Sequence, residues 1–260
     1  MNSVLTIATW NVNGIRARIE RVIDWLVRNP VDVLCVQESK APNDQFPLAA
    51  FTSIGYQVFI HGQKAFNGVA IIAKRSVDDV VCGIEGDPQA RLIGATVRGI
   101  RVFSAYFPNG QAVGSDKYVY KLQWMARLRG IIASEIQSYP NLVLCGDFNV
   151  APEPRDTYDP NFWEGRITCS DKEREALAEL RNLGLHDTFR TLHPNDIAFT
   201  WWDYRAASFS KNHGLRIDHL YVTTPLLQRL LSVNIDKLAR EGKQTSDHAP
   251  VVMTLRDTLE

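Results

Sequence analysis

Two segments of the chain share the same order of a strand, an amphipathic helix and a second strand. In the first, a strand from Val4 to Trp10 leads into a helix that Pro30 ends, and a second strand follows at Asp32–Gln37. The second segment repeats that order between strands at Arg101–Phe107 and Leu142–Cys145. Such units, about 30 residues long, are typical of sheets covered by helices. The repeat favours an α/β fold in which two sheets pack face to face under helix layers.

Further strands are expected between and after these two units. The intervening segments that read as successive antiparallel strands are Gln57–Ile60, Gly68–Lys74, Val80–Cys82 and Arg91–Val97. Beyond residue 150, the pattern predicts a proline-rich loop (Ala151–Pro160), a helix capped by Ser170 with Glu173, and strands near Phe199, at Ile217–Val222 and at Val251–Leu255. No low-complexity linker divides the chain, so one domain over residues 1–260 is expected.

The cysteines and the apolar runs bear on the compartment. The four cysteines form no C-x-x-C pair, which predicts buried free thiols and a reducing environment. The first residues lack the basic region of a signal peptide, and no run of about 18 apolar residues could span a membrane. The expectation is a soluble cytoplasmic protein with no membrane partner.

Polar side chains recur where hydrophobic strands end. They are Asn11, Glu38, Tyr106, Asp147, Asn149, Asp218, Asp247 and His248. Carboxylate and amide oxygens suit Mg²⁺ or Mn²⁺ better than Zn²⁺. A cation of this kind, with a histidine and amide donors, fits hydrolysis of a phosphate ester. Neither a phosphate-binding G-x-x-x-x-G-K-[ST] loop nor a dinucleotide fingerprint is present, which disfavours nucleoside triphosphate use and hydride transfer.

Eight motifs in order strengthen this interpretation: TWNVNGIRAR, DVLCVQESK, NGVAII, YFPNG, LCGDFNVAPEPRD, FTWWDYR, GLRIDHL and SDHAP. Together they resemble the exonuclease III family of DNA-repair nucleases across residues 9–250. The resemblance implies a four-layer α/β sandwich and a Mg²⁺-dependent apurinic/apyrimidinic endonuclease. It also implies 3′→5′ exonuclease and 3′-end-cleaning activities in a proportion that the motifs leave open.

The resemblance carries roles onto matching positions. It implies Glu38 as the principal metal ligand, with Asn11 and Asp247 close by. The same metal set extends to the side chains of Asp147, Asn149 and His248. Asp147 would activate or orient the attacking water, and Asn149 would stabilise the phosphorane oxygens. His248 would contact the scissile phosphate with its imidazole held by Asp218, while Tyr106 and Asn109 would be further donors to the phosphate.

Substrate contacts follow from the same resemblance. Trp201, Leu215 and Ile217 match an apolar pocket for a flipped-out abasic sugar, with Thr168 beside it. Family members often have phenylalanine at the position of Trp201, and the eukaryotic branch has tryptophan at that of Leu215. The candidate phosphate contacts are Arg16, Arg18, Lys211 and Arg216. The implied partner is double-stranded DNA, abasic or with a recessed 3′ end. A monomer is the default expectation, because the fold is self-sufficient.

The net charge limits how the protein can bind DNA, and two other functions are compatible with parts of the sequence. The 29 basic and 29 acidic residues give a formal net charge of zero, so DNA binding requires a polarised surface with basic residues around the site. One alternative is a catalytically inactive nucleic-acid-binding regulator on the same fold, which should have lost site residues. Another is a phosphodiesterase for lipid or inositol phosphates, against which the FTWWDYR and GLRIDHL segments argue.

Overall fold

The computed structural model describes residues 4–257, whose strands form two six-stranded sheets. The first sheet has the order β11-β12-β1-β2-β4-β3. Its strands are β1 (Val4–Asn11), β2 (Val33–Gln37), β3 (Gln57–His61), β4 (Val69–Ala73), β11 (Leu230–Ile235) and β12 (Val251–Arg256). The second sheet has the order β5-β6-β7-β8-β10-β9. Its strands are β5 (Val77–Cys82), β6 (Leu92–Val97), β7 (Ile100–Tyr106), β8 (Leu142–Asp147), β9 (Leu185–Asp187) and β10 (Asp218–Thr223).

Seven helices lie in the described part of the chain, and the three longest of them cover the outer faces of the two sheets. They are α1 (Ile15–Arg28), α2 (Leu48–Thr52), α3 (Asp116–Ser138), α4 (Pro160–Trp163), α5 (Asp171–Arg181), α6 (Thr188–Leu192) and α7 (Thr224–Leu227). Short 3₁₀ turns lie at Asn43–Gln45, Pro154–Asp156 and Lys237–Arg240. The predicted capping box is present, since Ser170 and Glu173 cap α5 reciprocally.

Side-chain alternation along the strands builds the layers. In β2, Cys35 packs into the core between the sheets, whereas Leu34 faces the core that contains Trp25 of α1. In β8, Cys145 joins the inter-sheet core and Leu144 packs with the residues of α3 and α5. The layers of the fold follow the order helix, sheet, sheet, helix. This confirms the predicted four-layer α/β sandwich.

Strand register aligns the polar strand ends. In the second sheet, Tyr106 of β7 pairs with Asp147 of β8, and Asp147 pairs with Asp218 of β10. In the first sheet, Asn11 ends β1 opposite Gln37 of β2, one residue before Glu38. The register therefore brings the polar ends of neighbouring strands side by side.

Several local expectations were wrong. The segment near Phe199 forms only isolated bridges, from Trp201 to Leu215 and to His248. All four predicted strands between the repeat units are present, but they do not form one run: β3 pairs antiparallel with β4 in the first sheet, and β5 with β6 in the second. Strands β9 and β11 were not predicted at all.

Two further predictions concern the burial of the cysteines and the presence of a membrane-spanning helix. All four cysteines are free, but Cys82 is exposed because it ends the edge strand β5, which contradicts its predicted burial. Among residues 4–257, no helix combines the length and apolar character that a membrane crossing requires.

Candidate active site

Asp147 is at the centre of the polar strand ends. Its carboxylate accepts hydrogen bonds from Asn11 Nδ2 (2.9 Å), from Asn149 Nδ2 (3.2 Å) and from the backbone N–H of Asn149 (2.9 Å). Burial raises the pKa of Asp147 to about 7 against the attraction of His248, and the nearby charge of Asp218 adds to the rise. A carboxyl with a pKa near neutrality can act as a proton acceptor at physiological pH.

The backbone at Asp147 requires a glycine before it. Gly146 has φ 143°, and a Cβ atom there would lie 1.9 Å from the carbonyl oxygen of Ala105 on β7. Only glycine permits β7 and β8 to approach this closely while Asp147 turns toward the site.

His248 and Asp218 form a buried pair. The imidazole Nδ1 lies 2.8 Å from Asp218 Oδ2, and Nε2 lies 3.7 Å from Asp147 Oδ2. Burial alone would lower the pKa of His248, but the charges of Asp218 and Asp147 outweigh it and raise that pKa to about 10. The imidazole is therefore an imidazolium at neutral pH, and both nitrogens donate.

Glu38 lies at the opening of the site. Its carboxylate accepts a hydrogen bond from Asn11 Nδ2 (2.9 Å) and pairs with Lys40 Nζ at 2.8 Å. Burial opposes ionisation, but Lys40 and Asn11 overcome it and lower the pKa of Glu38. Glu38 is consequently a carboxylate across the physiological range.

Tyr106, Asn109 and Asn149 line the other side. Burial and the charges of Glu38 and Asp147 raise the pKa of Tyr106 well above its usual value, so its hydroxyl stays protonated as a donor. Asn109 Nδ2 donates to Asn149 Oδ1 at 3.0 Å. Asn149 Nδ2 in turn donates to the carbonyl of Phe107 and to Asp147.

Several residues of the site have a left-handed backbone, as do others elsewhere in the fold. Residues other than glycine with positive φ include Asn13 (49°), Glu38 (51°), Lys40 (50°), Asn149 (49°) and Thr168 (70°). A left-handed backbone costs about 1–3 kcal/mol for such residues and persists where surrounding contacts enforce it. The hydrogen bonds of Asn149 and Glu38 supply that enforcement.

A divalent cation fits the acidic cluster. Ligand atoms of Glu38, Asp147 and His248 all lie within 4.8 Å of one another. Asp247 is not part of this group, since its two oxygens accept from Asn13 Nδ2 (2.9 Å) and Trp201 Nε1 (3.0 Å).

The amides face the cluster with nitrogen, not oxygen. The oxygen of Asn11 accepts from the backbone of Asn13, and that of Asn149 accepts from Asn109. These contacts make Asn11 and Asn149 donors to the carboxylates. The predicted ligand roles of both asparagines gain no support from this geometry.

The predicted apolar residues cluster together. Leu215 and Ile217 pack with Cys169, and Trp163 and Trp201 lie partly exposed against them. Trp201 also forms bridges to Leu215 and His248, which joins this apolar cluster to the acidic one. Thr168, next to Cys169, is buried. Whether the cluster accepts a sugar stays a prediction.

One predicted phosphate contact is wrong. Arg216 is only 1% exposed, and its guanidinium pairs with Asp156 (2.7 Å) and Asp187 (2.9 Å). It points inward because the flanking residues Leu215 and Ile217 occupy the apolar cluster. A backbone phosphate could not reach it.

The other candidate cations are at the surface. Arg16 is exposed and donates to Gln45 at 2.8 Å. Arg18 donates to the carbonyl of Asn13 and to Tyr204, which places it beside Asp247 through Asn13. Lys211 is exposed. A role in phosphate binding stays a prediction for these three.

Sequence patterns missed a buried lysine beneath the site. Lys121 of α3 is fully buried, pairs with Glu173 and donates to the carbonyl of Asn149 at 2.7 Å and of Asn109 at 3.3 Å. Its position on the apolar face of α3, between Tyr118 and Met125, was the available signal, because a lysine there needs a buried partner. Lys121 holds the two asparagine loops together.

Comparison with known proteins agrees with this geometry. Residues 8–248 match the profile of the endonuclease/exonuclease/phosphatase family. Exodeoxyribonuclease III of Haemophilus influenzae is 33% identical over 94% of this chain and 97% of its own length.

Two solved structures are also similar. The 3′ phosphatase NExo from Neisseria, bound to a product DNA hairpin, has a TM-score of 0.95 at 42% identity, covering 96% of this chain and 98% of its own. An AP endonuclease from Archaeoglobus fulgidus has a TM-score of 0.94 at 39% identity, covering 97% of this chain and 100% of its own. Since the family profile spans almost the whole sequence, this chain belongs to the endonuclease/exonuclease/phosphatase family.

Proposed function

We propose that this protein is a DNA-repair hydrolase that requires a divalent metal, cleaves DNA 5′ to abasic sites, and removes nucleotides or blocking groups from 3′ ends. The observation that carries the proposal is the group formed by the half-buried Glu38 and the buried Asp147 and His248, whose ligand atoms lie within 4.8 Å of one another. Relatives named for exonuclease, AP endonuclease and 3′ phosphatase activities agree with it. All the site residues that an inactive regulator would have lost are present.

Mg²⁺ or Mn²⁺ is the proposed cofactor, because ionised oxygens from Glu38 and Asp147 are hard ligands. When bound, the cation would supply positive charge that offsets the negative charge of the phosphoryl oxygens.

The protein's own groups suit the remaining chemistry. Asp147, with a pKa of about 7, would take the proton of the attacking water, and the amides of Asn11 and Asn149 would hold its carboxylate in position. His248 would donate its Nε2–H to a phosphoryl oxygen, oriented by Asp218. The hydroxyl of Tyr106 would be a further donor.

The proposed substrate is double-stranded DNA, either abasic or with a recessed 3′ end, bound by a monomer in the cytoplasm. The apolar cluster of Leu215, Ile217 and Trp201 borders His248, which supports a place for a sugar without its base. Free cysteines and DNA-repair relatives support the compartment.

The test compares three duplexes under Mg²⁺ and under EDTA: one with a single abasic site, one with a recessed 3′ end and one with a 3′ phosphate. A single incision marks an endonuclease, a ladder marks an exonuclease and released phosphate marks a phosphatase. Glu38→Gln provides the control. Absence of cleavage of all three with Mg²⁺ and Mn²⁺, or cleavage unaffected by EDTA, would contradict the proposal.

A further inference from the structure

A fully buried ion pair lies beneath the candidate active site, between α3 and α5. It joins Lys121 of α3 to Glu173 in the first turn of α5, and neither side chain is exposed to solvent. A buried ion pair is often no more stabilising than well-packed apolar side chains of the same size. The role of this pair therefore depends on what its two ends hold in place.

The lysine end holds the two asparagine loops of the site. Lys121 Nζ donates to the carbonyls of Asn149 (2.7 Å) and Asn109 (3.3 Å). Its third N–H is used by Glu173, so all three donors of the ammonium have acceptors. Asn149 Nδ2 in turn donates to Asp147 Oδ2 at 3.2 Å. A displacement of the Asn149 backbone would therefore move the amide that holds the Asp147 carboxylate.

The glutamate end holds the chain segment beside the apolar cluster. Glu173 Oε1 accepts from the backbone N–H of Thr168 at 3.0 Å. Its Oε2 accepts from the backbone N–H (3.1 Å) and from the hydroxyl (2.6 Å) of Ser170. Between these two residues lies Cys169, which packs with Leu215 in the apolar cluster. The ion pair thus connects the apolar cluster to the loops that carry the two asparagines.

Both connected loops contain a residue whose backbone conformation needs support. Asn149 has φ 49° and Thr168 has φ 70°, and a positive φ is especially unfavourable for a β-branched residue such as threonine. The loops also contact each other directly, since the backbone N–H of Ala151 donates to the carbonyl of Thr168 at 2.8 Å. Lys121 binds the carbonyl of the first left-handed residue, and Glu173 binds the N–H of the second. The pair therefore fixes the two loops relative to each other.

We infer that Lys121 is a positioning residue for turnover: with Glu173, it holds the Asn149 loop in the place that the reaction requires. The inference rests on the proposed function and extends it to a residue that cannot touch DNA, because its side chain is fully buried. Misplacing a group of an active site by about 1 Å can cost about 10²-fold in rate. Loss of the pair should therefore lower kcat and leave duplex affinity unchanged.

The test measures kcat and KM for abasic-duplex cleavage with Mg²⁺, and duplex affinity in EDTA. Lys121→Met keeps the length of the side chain and removes its charge and its donors. Its kcat should fall by about 10²-fold, while KM and the affinity in EDTA stay within about threefold of wild type. Lys121→Arg retains a cation with several N–H donors, so it should recover part of the lost kcat.

Arg101→Met is the matched control, because it also removes a buried cation that is paired with a residue of α3. Arg101 is 1% exposed, pairs with Glu135 at 2.8 Å and donates to the carbonyl of Asp79 at 2.6 Å. It lies at the opposite end of β7 from Tyr106. Both methionine variants should have a lower unfolding temperature, since each leaves a carboxylate without its partner. At a temperature where circular dichroism shows both to be folded, only Lys121→Met should have a lower kcat.

A second variant covers the case in which Lys121→Met does not fold. Glu173→Gln keeps the shape of the side chain and its oxygen for the cap at Ser170, and it too should lower kcat without changing affinity. The kcat of Arg101→Met in a folded Lys121→Met or Glu173→Gln variant overturns the inference alone. The same holds if Lys121→Arg is as slow as Lys121→Met. A wild-type protein that does not cleave the duplex with Mg²⁺ or Mn²⁺ overturns the proposed function, and the inference with it.

Discussion

Two buried clusters of charged side chains flank the start of β10, and they differ in how their charge is balanced. Around Arg216, two arginines meet two aspartates: Arg216 and Arg190 both pair with Asp156, and Arg216 also pairs with Asp187. The mutual attraction raises the pKa of Arg216 and lowers that of Asp187, in each case against the effect of burial. The two positive and two negative charges of this cluster cancel, and each charged group pairs with a member of the cluster.

Around Asp218, acids are in excess. Glu38, Asp147, Asp218 and Asp247 face the two cations His248 and Lys40, and Asp147 responds with a pKa near 7. Burying charges that do not cancel destabilises a fold unless a ligand completes the balance. The balanced cluster therefore belongs to the stability of the fold, whereas the unbalanced cluster has the negative charge that a bound cation would offset.

The largest expected effect is on activity at Glu38. Glu38→Gln keeps the shape of the side chain and removes the charge that would hold the cation, so cleavage of an abasic duplex should fall by at least about 10⁴-fold. The unfolding temperature should stay close to that of wild type, because Glu38 is only half-buried and its ion pair with Lys40 is partly exposed. Gel-based cleavage rates and thermal denaturation measure both. A folded variant with full activity would refute the metal assignment.

The next effect concerns His248. His248→Ala should lower turnover by about 10³- to 10⁴-fold, because the proposed donor to the phosphate is lost, while duplex affinity in EDTA stays within about threefold. Asp218→Asn is the companion variant, since it removes the carboxylate that keeps the imidazole charged. Single-turnover rates separate the two quantities. If turnover were unchanged, His248 would have no part in the reaction.

In the balanced cluster, the effect should appear in stability. Asp156→Asn leaves Arg216 and Arg190 short of a partner and should lower the free energy of unfolding by about 4 kcal/mol. Cleavage at low temperature should remain within a few-fold of wild type. Urea denaturation provides the measurement, with Glu179→Gln as control because its pair with Arg129 is exposed. A stable but inactive Asp156→Asn variant would show that the cluster around Arg216 serves activity and not stability.

His219 makes the same cluster sensitive to acid. Burial and then the charge of Arg216 lower its pKa to about 4, from an ordinary value near 6.5. The unfolded chain binds this proton below about pH 6.5 and the folded protein only near pH 4, so stability falls by up to about 3 kcal/mol across that window. His219→Gln should flatten the fall, and His186→Gln, at a half-buried histidine outside the cluster, is the matched control. If the free energy of unfolding of wild type and of His219→Gln depended on pH in the same way, His219 would not cause the loss of stability in acid.

The smallest effect is expected at Leu215, which adjoins both clusters. Leu215→Trp enlarges the apolar cluster and should change abasic-site cleavage by about tenfold more than 3′→5′ exonuclease action, since only the former places a bare sugar there. Equal changes in both rates would argue against a sugar-binding role for the apolar cluster.

The unbalanced cluster was predictable because its members occur at the ends of apolar strands. Each of these side chains lies at or next to the end of a strand that the apolar pattern of the sequence predicts, and strand ends meet at one edge of a sheet. They are Asn11, Glu38, Asp147 and His248. The same pattern indicated both repeat units and the cap at Ser170.

The balanced cluster was not predictable. Asp156, Asp187 and Arg216 are far apart in sequence, and each has an ordinary surface role as its default. Nothing local shows that Arg216 turns inward; only the packing of Leu215 and Ile217 decides it. Lys121 was missed for a related reason, since its partner Glu173 was already explained as a cap. Long-range ion pairs depend on tertiary packing that periodicity does not encode.

The most direct measurement of the central claim is the rate of abasic-duplex cleavage as a function of Mg²⁺ concentration, for wild type, Glu38→Gln and Asp156→Asn. We expect no cleavage in EDTA. Added Mg²⁺ should restore cleavage to saturation in wild type and, below its unfolding temperature, in Asp156→Asn, but not in Glu38→Gln. Cleavage by folded Glu38→Gln at the wild-type rate and with the wild-type Mg²⁺ dependence would contradict it.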